Sequence, residues 1–201
     1  MGMFVQVFQG QVKDADLLNR QYETWLKELK PKTTGYVGST SGMTGDGYAI
    51  TVARFESEEK ARADSELPDQ GAWWEETSKA FDGEATFHDC PEADLIGDGP
   101  PPNAGFVQVI QGRVKDKARM RSRGPELEPE LRKLRPDVLG GLVAWHSDDD
   151  AAFTQIMYFT NEQEARTNEK AMADNPLLEE FMSMMEGQPR FYDLQNHLVI
   201  D

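Results

Sequence analysis

A segment of eleven residues occurs twice in this chain and limits the possible folds more than any other feature of the sequence. The segment FVQVFQGQVKD begins at Phe4, and FVQVIQGRVKD begins at Phe106. The match continues downstream, where FESEEKAR at Phe55 corresponds to FTNEQEAR at Phe159, and the later FHDC corresponds to FYDL. Similarity that keeps nearly one register over such a distance predicts a tandem duplication of one folding unit.

The join between the two copies lies in the segment PEADLIGDGPPPNAG, whose glycines and prolines are typical of a linker. We therefore predict a first repeat over residues 1–97, a linker over 98–104 and a second repeat over 105–201. A repeat of about 100 residues is long enough to bury a core of its own.

Each copy follows the order strand, helix, strand, strand, helix, strand, with a short extra helix before the last strand. The opening segments are rich in β-branched and aromatic residues and predict strands. Asp14 and Asp116 are suited to cap the helices that follow. In the second copy Gly124, Pro125 and Pro129 predict that regular helix forms only over 129–134.

This order predicts an α+β protein made of two ferredoxin-like (βαββαβ) repeats, each with its helices on one side of an antiparallel sheet. Strand segments such as FVQVF and FTQIMYF are apolar at both alternating sets of positions. Because neither side of such a strand suits water, we expect the bare faces of the two sheets to pack together as an intramolecular barrel.

Composition excludes several classes of function. A formal net charge of −15 disfavours binding to nucleic acid or to anionic lipid, which both require basic surfaces. A single cysteine, Cys90, excludes an internal disulfide framework, and no apolar run is long enough for a membrane span. We expect a cytoplasmic protein. The basic run between Arg113 and Arg123 is interpreted as a solvated face, with an anion-binding stripe as the alternative.

The opening strands that end in QGQVKD and QGRVKD, together with FESEEKAR, FTNEQEAR and the closing FHDC and FYDL strands, resemble the dimeric α+β barrel superfamily. The closest resemblance is to its antibiotic biosynthesis monooxygenase-like branch. The resemblance implies two ferredoxin-like units paired sheet to sheet, with further oligomerisation left open. It also implies a cofactor-independent monooxygenase-like enzyme acting on small aromatic or polyketide-like molecules. The alternative is a non-catalytic small-ligand-binding or scaffold protein of the same type, because this fold carries many functions.

Related enzymes hold their substrates in an apolar pocket between the helices and the sheet, and several aromatic and polar residues of this chain could line one. The expected ligand-binding residues are Trp73, Trp74 and Tyr48 in the first repeat and Gln108, Trp145, Tyr158 and Tyr192 in the second. The tryptophans could equally be core residues. Because Trp73 and Trp74 correspond to leucines in the second copy, we expect at most one active half.

His88 and Gln6 are the expected catalytic residues. Histidine can act as a general acid or base, or can be a hydrogen-bonded strand residue. A glutamine flanked by apolar residues is costly to bury without a partner, so Gln6 binds either a ligand or a polar group on a neighbouring strand. We expect no metal and no cofactor, because the chain has neither a cluster of Cys and His nor a helical histidine of the kind that ligates haem in related enzymes.

Overall fold

A computed structural model describes residues 2–201 and confirms an α+β protein. The described chain contains nine strands and six α-helices in two rounds of similar order. The first round comprises β1 (Phe4–Gln11), α1 (Ala15–Thr24), β2 (Tyr36–Met43), β3 (Tyr48–Phe55), α2 (Glu58–Ser65), α3 (Pro68–Ser78), β4 (Thr86–Cys90) and β5 (Glu92–Ile96). The second comprises β6 (Phe106–Arg113), α4 (Lys117–Leu134), β7 (Val138–Trp145), β8 (Ala152–Phe159), α5 (Glu162–Met172), α6 (Pro176–Ser183) and β9 (Arg190–Ile200).

The chain forms two compact units whose limits differ from the predicted repeat boundaries. The first unit runs to Glu92 and also includes Asn196–Asp201, and the second unit is Ala93–Gln195. The differences arise from strand pairing, because β5 lies beside β7 and the end of β9 lies beside β2. The division into repeats 1–97 and 105–201 stays a prediction about the sequence.

The sheet of the first unit has the order β4–β1–β3–β2, with the end of β9 next to β2. The pairs β1–β3, β1–β4 and β2–β3 are antiparallel. The second unit has the order β9–β6–β8–β7–β5, where β9 contributes its first half. The packing of one sheet against the other stays a prediction.

Asparagine, aspartate and serine side chains cap five of the helices, including Asn175 at the start of α6, and the caps of α1 and α4 are those that the sequence predicts. Asp14 accepts a hydrogen bond of 2.8 Å from the backbone N–H of Leu17 at the start of α1. Asp116, Ser57 and Asn161 cap α4, α2 and α5 in the same way. Each cap satisfies a backbone donor that the first turn of a helix leaves unpaired.

Helix α4 contradicts the prediction of a broken helix in the second copy, because it runs unbroken from Lys117 to Leu134 through Gly124, Pro125 and Pro129. Each proline removes one backbone hydrogen bond, and both are exposed, so that their rings meet solvent. Met120 and Leu127 of the same helix are buried in the hydrophobic core. Their burial offsets the local cost, so the prediction that regular helix begins only at Pro129 is wrong.

Four of the six basic side chains between Arg113 and Arg123 form ion pairs within the second unit. Arg113 pairs with Asp149 and Glu186, and Arg121 pairs with Asp94. Lys117 and Arg123 also have carboxylate partners. These pairs support the interpretation of the run as a solvated face.

Candidate ligand-binding cleft in the first unit

One side of the first-unit sheet faces the helices, and strand register identifies the residues on it. Phe8 of β1 contacts Trp74 of α3, with ring centroids 5.6 Å apart, and packs with the cluster that contains Leu18 of α1. Because side chains alternate along a strand, the even-numbered residues of β1 and their cross-strand partners share this side. The central row across β4, β1, β3 and β2 is Asp89, Gln6, Ala53 and Ser39.

The rows on either side of the central row follow from the same register. One row contains Phe87, Phe8, Thr51 and Ser41. The other row contains Phe4, Phe55 and Tyr36. The helix-facing side is therefore aromatic toward its ends and carries small polar side chains in its middle.

Ala53 lies at the centre of this side and remains partly exposed. Its strand neighbours Val52 and Arg54 point to the opposite face and are buried. Since β3 has a strand on each side, the exposure of Ala53 must come from space between the sheet and the helices. We define the Ala53 cleft as this space, bordered within the sheet by Gln6, Ser39, Thr51 and Phe55. The Cβ atoms of its two cross-strand partners, Gln6 and Ser39, lie about 5 Å from the Cβ atom of Ala53.

Hydroxyl groups line one flank of the cleft. The hydroxyl of Tyr22, from α1, is hydrogen-bonded to that of Thr51, which donates to Ser41 Oγ at 3.1 Å. The hydroxyls of Tyr36 and Ser39 are hydrogen-bonded at 2.7 Å. These two hydrogen-bonded sets lie at adjacent positions of the ladder formed by β2 and β3. We refer to the five residues together as the hydroxyl strip.

Both tyrosines of this strip are neutral near pH 7. Burial raises the pKa of Tyr22 above its usual value, more than the hydrogen bonds to Ser41 and Thr51 lower it. Burial also raises the pKa of Tyr36, against the hydrogen bond from Ser39 and the charge of Arg54. A neutral phenol retains its proton, so each of these hydroxyls can donate one hydrogen bond as well as accept.

The raised pKa of Tyr22 predicts a loss of stability in alkaline solution. In the unfolded chain tyrosine loses its proton near pH 10, whereas folded Tyr22 holds it to higher pH. Above about pH 10 the unfolded state therefore binds fewer protons, and the free energy of unfolding falls as pH rises. We expect Tyr22→Phe to make this decline less steep in urea unfolding measured between about pH 9 and pH 11. An unchanged slope would contradict the burial of an un-ionised Tyr22 hydroxyl.

Two tryptophans connect the helices above the cleft. After α1 the chain forms a π-helical turn over Trp25–Leu29, a type of irregularity often found at functional sites. Trp25 contacts the Tyr36 ring at 4.9 Å, and its indole nitrogen donates to Gln70 of α3 at 3.1 Å. Trp73 donates to the backbone carbonyl of Gln21 at 2.8 Å. Both indole N–H groups therefore bond within the protein and link α3 to α1 and to the turn that follows it. Only the ring surfaces of the two tryptophans are available to contact a ligand.

The structure divides the predicted site residues of the first repeat between the two faces of the sheet. Gln6 lies on the helix-facing side, and Trp73 and Trp74 come from α3 on that side. His88 is paired with Val7 and Tyr48 with Gln11, so both point to the opposite face. The structure thus does not bring His88 or Tyr48 to the cleft that contains Gln6.

Gln6 itself has a partner on the neighbouring strand, which was one of its two expected roles. Its side-chain nitrogen donates to Asp89 at 2.9 Å. In the second unit Gln108 donates to Asp193 at 2.8 Å. The same pair therefore supports both sheets.

The predicted residues of the second repeat are also split between two faces. Gln108 and Trp145 lie on the helix-facing side, whereas the register places Tyr158 and Tyr192 on the other. Trp145 is 2% exposed, and its indole nitrogen donates to Asp94 at 2.8 Å. These contacts make Trp145 a core residue.

The second unit carries a larger side chain at the position of Ala53. Met157 occupies the ladder position of Ala53, opposite Gln108 and Gly141. Its sulfur lies 2.9 Å from the point where a Cβ on Gly141 would be, and it accepts a hydrogen bond of 3.0 Å from Gln155. The positions of Ser41, Thr51 and Tyr36 are held by Val143, Gln155 and Val138.

Sequence reasoning missed the hydroxyl strip because serine, threonine and tyrosine are common on strands. A signal was present in the comparison of the two copies. Where β2 carries three hydroxyl side chains, β7 carries only valine and glycine at the matching positions.

Comparisons with known proteins find a relationship in structure alone. No family model and no curated protein matches this sequence. A protein from Fusobacterium nucleatum, named provisionally as a monooxygenase, superimposes with a TM-score of 0.75 at 9% identity over 100% of this chain and 94% of its own. A protein of the same provisional name from Lactobacillus acidophilus gives 0.74 at 15% identity, over 100% of both chains.

Two further structures extend the comparison. An anthrone oxidase-like protein gives a TM-score of 0.64 at 9% identity, over 99% of this chain and 94% of its own. A Listeria monocytogenes ferredoxin-fold protein related to antibiotic biosynthesis monooxygenases gives 0.51 at 12% identity, over 98% and 96% of the two chains. The chain shares the fold of these proteins. Among residues 2–201 there is no helix with the length and apolar character needed to cross a membrane.

Proposed function

We propose that the Ala53 cleft binds a small aromatic or polyketide-like molecule and that the protein oxidises it with O2 as a cofactor-independent monooxygenase. The observation that carries this proposal is the contrast between the two units. At the same ladder position the second unit carries Met157, whereas the first carries the much smaller Ala53 beside a strip of hydroxyl groups. The second unit forms the same arrangement of strands without a hydroxyl strip, so this arrangement does not require the strip for its stability. The presence of the strip in the first unit therefore favours a role in ligand binding.

The walls of the cleft suit a flat, oxygen-bearing ligand. Trp25, Phe55 and Trp73 offer aromatic surface, and offset or edge contacts between rings add stability beyond the area that they bury. The hydroxyl pair of Tyr36 and Ser39 can donate one hydrogen bond to a ligand oxygen. Such a mixture of apolar walls and few polar groups is typical of small-molecule sites.

A reaction of this kind needs no added reductant when the substrate carries an activated methylene group. Two C–H bonds of the methylene break and one C=O bond forms, so the substrate loses four electrons. These electrons reduce O2, whose oxygen atoms end in the new carbonyl group and in water. Oxidation of anthrone to anthraquinone has this balance, and an anthrone oxidase-like protein is among the structural neighbours.

The role of the cleft residues in this reaction is to bind and polarise the ligand. Loss of a methylene proton places negative charge on the conjugated ligand oxygen, and the neutral Tyr36 hydroxyl can stabilise that charge by donating to it. Gln6 is retained as a cleft residue in this proposal. His88, on the opposite side of the sheet, has no part in it.

The second candidate is a non-catalytic binder of the same ligands, favoured by the use of both indole N–H groups within the protein. Oxygen uptake separates the two. We expect the purified protein to consume one O2 per anthrone oxidised, faster than anthrone oxidises in buffer alone. Stabilisation against heat by anthrone or 2-naphthol without catalysed oxygen uptake would support the binder, because a ligand that binds only the folded state raises the melting temperature. If neither effect is seen, the cleft does not bind these ligands and the scaffold alternative stands.

A further inference from the structure

The hydrogen bond between Gln6 and Asp89 fixes which end of the glutamine amide faces the cleft. An ionised carboxylate can only accept hydrogen bonds, so the amide nitrogen of Gln6 must point toward it. The observed bond has this direction, from Nε2 of Gln6 to an oxygen of Asp89 at 2.9 Å. The amide oxygen of Gln6 is therefore turned away from Asp89.

The order of the strands places this oxygen on the side of the cleft. Asp89 lies on β4 and Ala53 on β3, on opposite sides of β1, and both are direct partners of Gln6. Turning the nitrogen toward β4 leaves the oxygen toward β3. Within residues 2–201 the only hydrogen bond of the Gln6 side chain is the one to Asp89. Gln6 is also only half-buried, in keeping with an amide beside accessible space.

We infer that Asp89 is a specificity-determining residue, which holds Gln6 as a hydrogen-bond acceptor so that the cleft selects ligands presenting an O–H or N–H donor toward β1. Ligands with a carbonyl or ether oxygen at that end meet the lone pairs of the Gln6 oxygen and bind less well. This inference rests on the proposed binding function of the cleft, and it adds the chemistry that one end of the ligand must have.

The second unit shows the same pair in a setting without such a role. The carboxylate of Asp193 is bound both by Gln108 and by Arg166, and Gln108 is 7% exposed beside Met157. In the first unit the arginine at the matching helix position, Arg62, pairs with Glu58 at 2.7 Å and is attracted to Asp89 only through charge at longer range. Substitution of Asp89 therefore changes the orientation of Gln6 and removes only a weak attraction to the exposed Arg62.

The test compares two probes of similar size, 2-naphthol as a hydrogen-bond donor and 2-acetylnaphthalene as an acceptor. We expect the protein to bind 2-naphthol about tenfold more tightly, the ratio that one hydrogen bond supplies. In Asp89→Asn the new amide can either donate to or accept from Gln6, and in Asp89→Leu Gln6 has no partner. Both variants should bind the two probes with affinities within about threefold of each other. Asp193→Asn is the matched control and should keep the tenfold preference.

A preference for 2-naphthol that is unchanged in both Asp89 variants would overturn the inference. If neither probe binds the unaltered protein, the proposed binding function fails, and the orientation of Gln6 is tested by NMR without a ligand. The Gln6 amide proton that is bonded to Asp89 should then exchange slowly with solvent, and in Asp89→Leu it should exchange faster and change its chemical shift. Identical Gln6 amide signals in both proteins would overturn the inference independently of binding.

Discussion

Replacing Ala53 with methionine is expected to abolish ligand binding and oxygen uptake while leaving the protein folded. Methionine at this ladder position would place in the first-unit cleft the long side chain that the second unit carries as Met157. Affinity for 2-naphthol should fall about 100-fold or more, because a side chain in the cleft excludes the ligand sterically. The measurement is calorimetric titration, with anthrone-dependent oxygen uptake in parallel.

Stability provides the internal check on this prediction. Adding a long side chain to a packed core costs about 1–3 kcal/mol, whereas filling existing space costs little. We therefore expect Ala53→Met to change the free energy of unfolding by less than about 1 kcal/mol. The matched control is Met157→Ala, which should lower stability by about 1 kcal/mol, less than for a fully buried methionine because Met157 is partly exposed, and leave binding unaltered. Tight binding retained in Ala53→Met would show that the ligand lies elsewhere.

The largest expected effect on stability comes from Asp137, a carboxylate that is 1% exposed in the second unit. It accepts from Arg135 at 2.8 and 3.0 Å and from Asn168 at 2.7 Å. Asp137→Ala would leave a largely buried guanidinium and an amide without their acceptor. Breaking a buried ion pair from one side costs about 3–5 kcal/mol, and we expect a loss of this size in urea unfolding.

A surface ion pair supplies the control for Asp137. Lys32 and Asp69 are both more than half exposed. Asp69→Ala should therefore change the free energy of unfolding by no more than about 1 kcal/mol. Equal losses in Asp69→Ala and Asp137→Ala would contradict the argument that burial decides the difference.

The sequence was sufficient to predict the order of elements because the two copies could be read against each other. The predicted order of strand, helix, strand, strand, helix, strand, with a short helix before the last strand, is found in both rounds, and the first round adds β5. The break expected in α4 is wrong because proline propensity is a local property, whereas burial of Met120 and Leu127 is a property of the folded unit. Tertiary packing decides such cases.

The candidate site was predicted only in part, for a geometric reason. Alternation along a strand separates its residues into two sets, but it does not tell which set faces the helices. Gln6 and His88 were therefore expected in one pocket, although the register of β1 and β4 places them on opposite faces. Gln6 was recognisable from the sequence as a polar residue among apolar ones. Its hydrogen-bond partner, Asp89, could be identified only once the pairing of β1 with β4 was known.

The pairing of β5 with β7 and of the end of β9 with β2 has a consequence for dissection of the molecule. A fragment that stops near residue 97 would contain the whole Ala53 cleft but would lack the segment that covers the outer edge of β2, where Arg54 contacts Ile200 and Asp201. An uncovered edge strand recruits other chains. Such a half-protein should aggregate, and a peptide of residues 196–201 supplied in trans should prevent this. Each half of the polypeptide therefore depends on a segment from the other half to complete its sheet.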